Sequence, residues 1–226
     1  MNIDIIGISD NLKKSDLKWD NGNYFFLNIN DIDFLRKLNT ILKESTADYT
    51  FFYKNDLSFI DLPLLENIIL GNADISHIGN NSIDDDLFPE LDMIILDWHM
   101  IRNRNEKRRV SWFLTLDRCL IKNNLFKSLR YFDEDFEDSF TSFFDFGYRA
   151  FKNGFLVEYN PLLKMGSTEL IKNIKPSEKY LFISKHWSLK WAKYIYIRRC
   201  LNNITSLKEY FSIHNNIGQF KYENFF

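Results

Sequence analysis

Acidic residues placed just beyond apolar runs are the first sign of chemistry in this chain. Asp10 follows the run Ile3 to Ile8, and Asp56 follows Tyr49 to Tyr53 across Lys54-Asn55. Ligands of open α/β sheets bind beyond the carboxyl ends of strands, so such carboxylates are placed to meet a cation or a polar ligand. Asp133-Glu134, Glu137-Asp138 and Asp145 come later, with Arg149 behind them. A carboxylate in such a group can take the proton of an attacking hydroxyl. Asp133-Glu134 equally fits a helix cap. Arg149 has the i, i+4 spacing of an ion-pair partner to Asp145 on one helix face. Asp97-Trp98-His99 joins a carboxylate, an indole and an imidazole. That set can stack on a sugar, or it can be a half-buried Trp beside a solvent-facing His.

Other chemistries are poorly supported. Cys119 and Cys200 lack CxxC spacing and are too few for a disulfide scaffold, so they read as reduced buried thiols. His77, His186 and His214 show neither HxH nor HExxH spacing. The P-loop, GxGxxG and GxSxG patterns do not occur. Lys+Arg at 29 nearly balances Asp+Glu at 31. A net charge of -2 argues against a duplex-binding face, and no nucleic-acid partner is expected. With 45% apolar and 27% charged residues in 226, the chain can bury a core and keep a soluble surface.

These residues need elements to carry them. Ile3 to Ile8, Tyr24 to Leu27, Tyr49 to Tyr53, Ala73 to Ile78, Asp92 to Met100, Trp112 to Leu116 and Phe155 to Tyr159 read as strands. Ile32 to Glu44, the segment after Pro63, Leu120 to Leu129, Phe143 to Lys152 and a long run from Tyr180 to Asn202 read as helices. The alternation predicts an α/β fold with a mostly parallel sheet flanked by helices. Residues 1–165 form its main domain, and 166–226 form a C-terminal helical extension packed on it.

The segments ADYTFFYKNDLSF, SWFLTLDRCLI, FKSLRYFDEDFED and FFDFGYRAFKNGFLVEYNP together resemble the family-two inverting glycosyltransferases, which have the GT-A fold. Phe132-Asp133-Glu134 matches that family's "FDE". Asp145, Arg149, Gly154, Tyr159 and Pro161 match its later pattern. The resemblance covers about Asp48 to Pro161. It implies transfer of a sugar from a nucleotide donor to a saccharide or lipid-linked saccharide acceptor, during cell-surface polysaccharide synthesis. It further implies Asp10, Lys54 and Asp56 as nucleotide-sugar contacts, and Mg²⁺ or Mn²⁺ held by Asp56 and His186. Trp98, His99, Asp133 and Arg149 would line the acceptor side, and Asp138 or Asp145 would act as base. The chain departs from the pattern in three places, the first being an amino-terminal half that lacks the extra strand and helix usually preceding the strand matched by Ile3 to Ile8. Thr141, Ser142 and Phe143 stand where the family's acidic pair belongs, and Lys54 takes the first acidic position of its metal motif. A catalytically degenerate saccharide-binding or partner subunit is the alternative.

Asp4 and Asp10 interrupt the first apolar stretch, so no secretory signal is expected. The expected location is the cytoplasm, at the inner face of a membrane if the tail docks there. Residues 185–199 mix Trp, Tyr, Ile, Lys and Arg. They read as a helix packed on the domain or as an interfacial helix.

Overall fold

A computed structural model describes residues 2–8, 22–54, 62–78, 109–115, 117–163 and 174–201, together with 208 and 211. Strand β1 (Ile3–Ile8) lies between β2 (Tyr24–Leu27) and β3 (Tyr49–Lys54), parallel to both. Both of its faces are covered, which is why the strand reads as an apolar run without alternation. Ile3 and Ile5 join Phe51, Leu65 and Ile68 on one face, while Ile6 and Ile8 join Phe52, Leu38 and Phe143 on the other.

Asp4 breaks that run and is buried. Its carboxylate accepts from the Asn23 backbone N–H at 2.8 Å and from Ser45 Oγ at 2.6 Å. Asn123 Nδ2 donates to the same Ser45 oxygen at 2.8 Å, and Thr50 Oγ1 donates to Asn123 Oδ1 at 2.6 Å. A buried carboxylate is tolerated when its oxygens are bonded in this way.

The remaining strands are β4 (Ile75–His77), β5 (Arg109–Val110), β6 (Arg118–Lys122) and β7 (Val157–Tyr159). The sheet order is β2-β1-β3-β6-β4-β7-β5. Among the described residues, five strands run one way; β6, between β3 and β4, and β5, paired only with β7, run against them. Helices α1 (Phe34–Glu44), α3 (Asn124–Ser128) and α4 (Ser139–Lys152) cover one face, and α2 (Leu62–Leu70) covers the other. The fold is therefore α/β, with a mostly parallel sheet between helices.

Three sequence expectations are corrected. Leu120 to Leu129 is not one helix: it divides into β6, a central strand buried between two neighbours, and the short α3. Residues 111–115 form no strand. They run beside α4, and a Cβ at Gly147 would collide with the Trp112 carbonyl oxygen. The tail is not one helix either. It breaks at Ser188, whose φ of 106° is far from helical, into α5 (Pro176–Trp187) and α6 (Leu189–Leu201). The two fold back on each other, with Tyr196 Oη donating to the Pro176 carbonyl at 2.7 Å and the Tyr180 and Tyr196 rings 5.1 Å apart. Trp112, Phe136 and Phe144 share one buried cluster with Tyr180, Phe182 and Ile195 of this hairpin. The Asp92 to Met100 strand expectation lies outside the described residues.

Candidate functional site

The carboxyl ends of β1 and β3 lie side by side, with Ile8 in register with Lys54. Asp10 and Asp56 each come two residues after that pair, outside the described residues, as do Trp98 and His99. Lys54 ends β3, and its ammonium lies over the Phe140 ring at 5.7 Å. Phe140 is in the first turn of α4, so this contact ties the strand end to the start of that helix.

Asp138 begins α4. Its carboxylate accepts from the Phe140 backbone N–H at 3.2 Å and from Thr141 Oγ1 at 3.0 Å, the bonding of an N-cap. Burial pushes its pKa upward, against the lowering effect of these donors and of Lys175. Glu178, in the first turn of α5, accepts from the Asp138 backbone N–H at 3.3 Å and is itself only 3% exposed. Burial, reinforced by the nearby Asp138 and Glu137 carboxylates, lifts Glu178 to about 7. Lys175, which pairs with Glu137 at 3.1 Å, is the cation of the group. Sequence reading passed over Glu178, although Pro176 at the start of a helix with Glu two residues later is a recognisable helix-start signal.

The shift at Glu178 carries a stability prediction. The folded chain binds this proton more tightly than the unfolded chain, whose carboxyl titrates near 4.5. Its contribution is therefore full below about pH 4.5 and is lost as the pH rises through about 7. A Glu178→Gln chain stays neutral throughout. It should gain on the parent by up to about 3 kcal/mol between about pH 5 and about pH 8, read as the difference in Tm at each pH. A difference that does not change with pH would show that Glu178 ionises as freely folded as unfolded.

Asp145 belongs to a different arrangement. It is 1% exposed. Oδ2 accepts from Arg149 Nε at 2.7 Å, and Oδ1 accepts from His186 Nε2 at 2.9 Å. Burial, the largest single influence, raises the carboxyl, but the Arg149 guanidinium and His186 outweigh it and hold the acid at about 2. An ionised carboxylate only accepts, so Nε2 carries the hydrogen. The imidazole is enclosed by Tyr148 at 4.6 Å, Phe182 at 4.7 Å and Trp187 at 5.8 Å. Arg149 also donates to the Leu129 carbonyl and, at 2.9 Å, to the Tyr131 carbonyl. Those carbonyls flank a turn in which Arg130 and Tyr131 adopt φ near +60°.

This geometry corrects two site expectations. Asp145 is too enclosed and too acidic to serve as a base. Arg149 is spent on Asp145 and the turn rather than on an acceptor. The Nε2 of His186 is engaged by the Asp145 carboxylate. Among the described residues, no group of three or more His, Cys, Asp or Glu is placed to hold a metal ion.

Asp133 is likewise engaged. It accepts from Lys185 Nζ at 2.5 Å, and Lys185 also reaches Asp135 at 2.6 Å. Asn39 bonds both the N–H and the carbonyl of Phe132, at 3.0 and 2.8 Å, and its amide donates to Glu134 at 2.8 Å. Phe132 itself is buried among Phe52, Phe126, Phe143 and Phe146. The segment is thus pinned at both ends, with the Glu134 side facing outward. Asn39 and Lys185 carry no sequence signal of their own; only the folded chain pairs them with this segment.

An open cleft of about 340 Å³ runs between the start of α1 and the segment leading into α4. Asp31, Asp33, Glu134 and Glu137 line it, with Arg36 and Ser139. Asp31, Asp33 and Glu137 pair with Lys37, Arg36 and Lys175, and the carboxylate oxygens of these walls can accept hydrogen bonds from a polyol. Compared with known protein families and with curated proteins, the chain matches none.

Proposed function

We propose that the chain is a GT-A-like inverting glycosyltransferase acting in cell-surface polysaccharide synthesis, with a nucleotide-sugar donor and a saccharide hydroxyl as acceptor. The reading rests on one juxtaposition: Lys54 at the end of a parallel strand and Asp138 at the start of α4 meet through Phe140. The donor's diphosphate belongs at the carboxyl ends of β1 and β3, against Lys54, with Asp10 and Asp56 each two residues further along the sequence. The acceptor belongs in the acidic cleft, where Glu134 and Glu137 take hydrogen bonds from its hydroxyls. Asp138, which stands between the cleft-lining Glu137 and Ser139 without lining the cleft itself, removes the proton of the attacking hydroxyl. The new glycosidic bond forms as the bond to phosphate breaks on the opposite face, and the departing negative charge meets the Lys54 ammonium. Burial raises the basicity of Asp138, which suits it to this step. A divalent ion such as Mg²⁺ or Mn²⁺ held by Asp56 would supply further positive charge to the diphosphate.

The alternative, a degenerate saccharide-binding subunit, is favoured by one observation. Thr141, Ser142 and Phe143, where the resembled family's acidic pair belongs, are fully buried, and Ser142 Oγ donates to the Asp133 carbonyl. Calorimetric titration with UDP- and GDP-sugars, with and without Mn²⁺, separates the readings. Heat of binding with release of free sugar is expected of the enzyme. Silence with every donor would overturn that assignment and leave the binding subunit. An Asp56→Ala chain that still turns over would remove Asp56 from the mechanism.

A further inference from the structure

Helix α6 presents two faces. Ala192, Ile195 and Tyr196 are buried against the fold. The opposite face leaves large apolar side chains in solvent: Trp191 is 44% exposed, Tyr194 46%, Ile197 46% and Leu201 76%. The same helix carries Lys190, Lys193, Arg198 and Arg199 and no acidic residue, on a chain whose net charge is -2. Lys190 and Arg198 are exposed on the apolar face itself. The Arg198 guanidinium lies over the Tyr194 ring at 5.9 Å and donates to its hydroxyl at 3.0 Å, and Trp191 meets Tyr194 edge to face at 5.7 Å.

We infer that this outer face of α6 docks on a lipid surface that carries anionic headgroups. Charge complementarity selects this occupant. Cations beside exposed indole, phenol and aliphatic groups match an interface where headgroup charge and acyl chains lie within one helix radius of each other. Lysine and arginine stems can reach outward to phosphate while Trp191 and Ile197 enter the acyl boundary. The contact is narrower than the sequence suggested. Lys185 is paired with Asp133 and Asp135, His186 is held by Asp145, and Trp187 packs on Tyr148, so residues 185–187 belong to the body of the protein. The inference does not depend on glycosyl transfer and stands or falls separately from it.

The test is co-sedimentation of the full chain with vesicles of phosphatidylcholine alone or mixed with phosphatidylserine. Binding to the mixed vesicles, weakened by added salt, is expected. The Lys190→Gln/Arg198→Gln pair should lower the partition about 25-fold, since each cation near such a surface is worth about a factor of five. Tryptophan emission should shift to the blue on binding, and that shift should be largely lost in Trp191→Phe, an exposed change that leaves the fold intact. No binding to mixed vesicles would overturn the inference, as would an undiminished shift in Trp191→Phe. Sedimentation equilibrium that reveals a dimer dissociated by the Trp191 change would assign the face to a second copy of the chain, and would also overturn it.

Discussion

An Arg149→Leu chain is expected to lose about 3–5 kcal/mol of stability, seen as a fall of roughly 10 °C in Tm. The change strands Asp145, a carboxylate that is 1% exposed, with His186 as its remaining partner. It also strips two donors from the carbonyls of Leu129 and Tyr131 at a turn held at positive φ. Arg149→Lys should recover only part of the loss, because one ammonium cannot reproduce a planar fork that serves a carboxylate and two carbonyls. An Asp145→Leu/Arg149→Leu pair should lose less than the sum of the single changes, since no charge is then left buried alone. The acid side gives a second check. Asp145 is held at about 2, so its stabilisation is full above the ordinary carboxylate range and fades as the pH falls toward 2. A loss under about 1 kcal/mol in Arg149→Leu would show that the guanidinium is dispensable to the fold.

The second large effect is on turnover. Asp138→Asn should lower kcat by about 10²- to 10⁴-fold, the usual range for loss of a general base, while Tm stays near that of the parent. The substitution is chosen because asparagine caps a helix about as well as aspartate, so the bonds to Phe140 and Thr141 survive. Asp138→Ala would confound the two roles by removing cap and base together. Full activity in the Asn chain would exclude Asp138 as the base.

Much of this arrangement could be read from the chain itself. β1 and β3 were evident because strands covered on both faces are mostly apolar and show no alternation. The Asp145–Arg149 pair was foreseeable from its i, i+4 spacing. The Leu120 to Leu129 stretch misled because Leu120, Ile121, Leu125 and Phe126 fit a helical stripe as well as a doubly buried strand. The pair Asn123-Asn124 is the local mark of the change of element; Asn123 is fixed there by Thr50 and Ser45, both distant in sequence. Ser188 escaped for a similar reason, since apolar spacing runs through it and only its backbone angle reveals the break. The site was less legible than the fold. Glu178, Lys185 and Asn39 gain meaning from partners that lie far from them along the chain, a kind of information that spacing does not hold.

The buried aromatic cluster that spans α4 and the tail hairpin bears on how the polypeptide is made. Trp112, Phe136 and Phe144 are covered only once Tyr180, Phe182 and Ile195 are in place. A nascent chain in which residues 174–201 are not yet made lacks the half of the cluster they supply, and exposed aromatic surface of that kind is prone to aggregation.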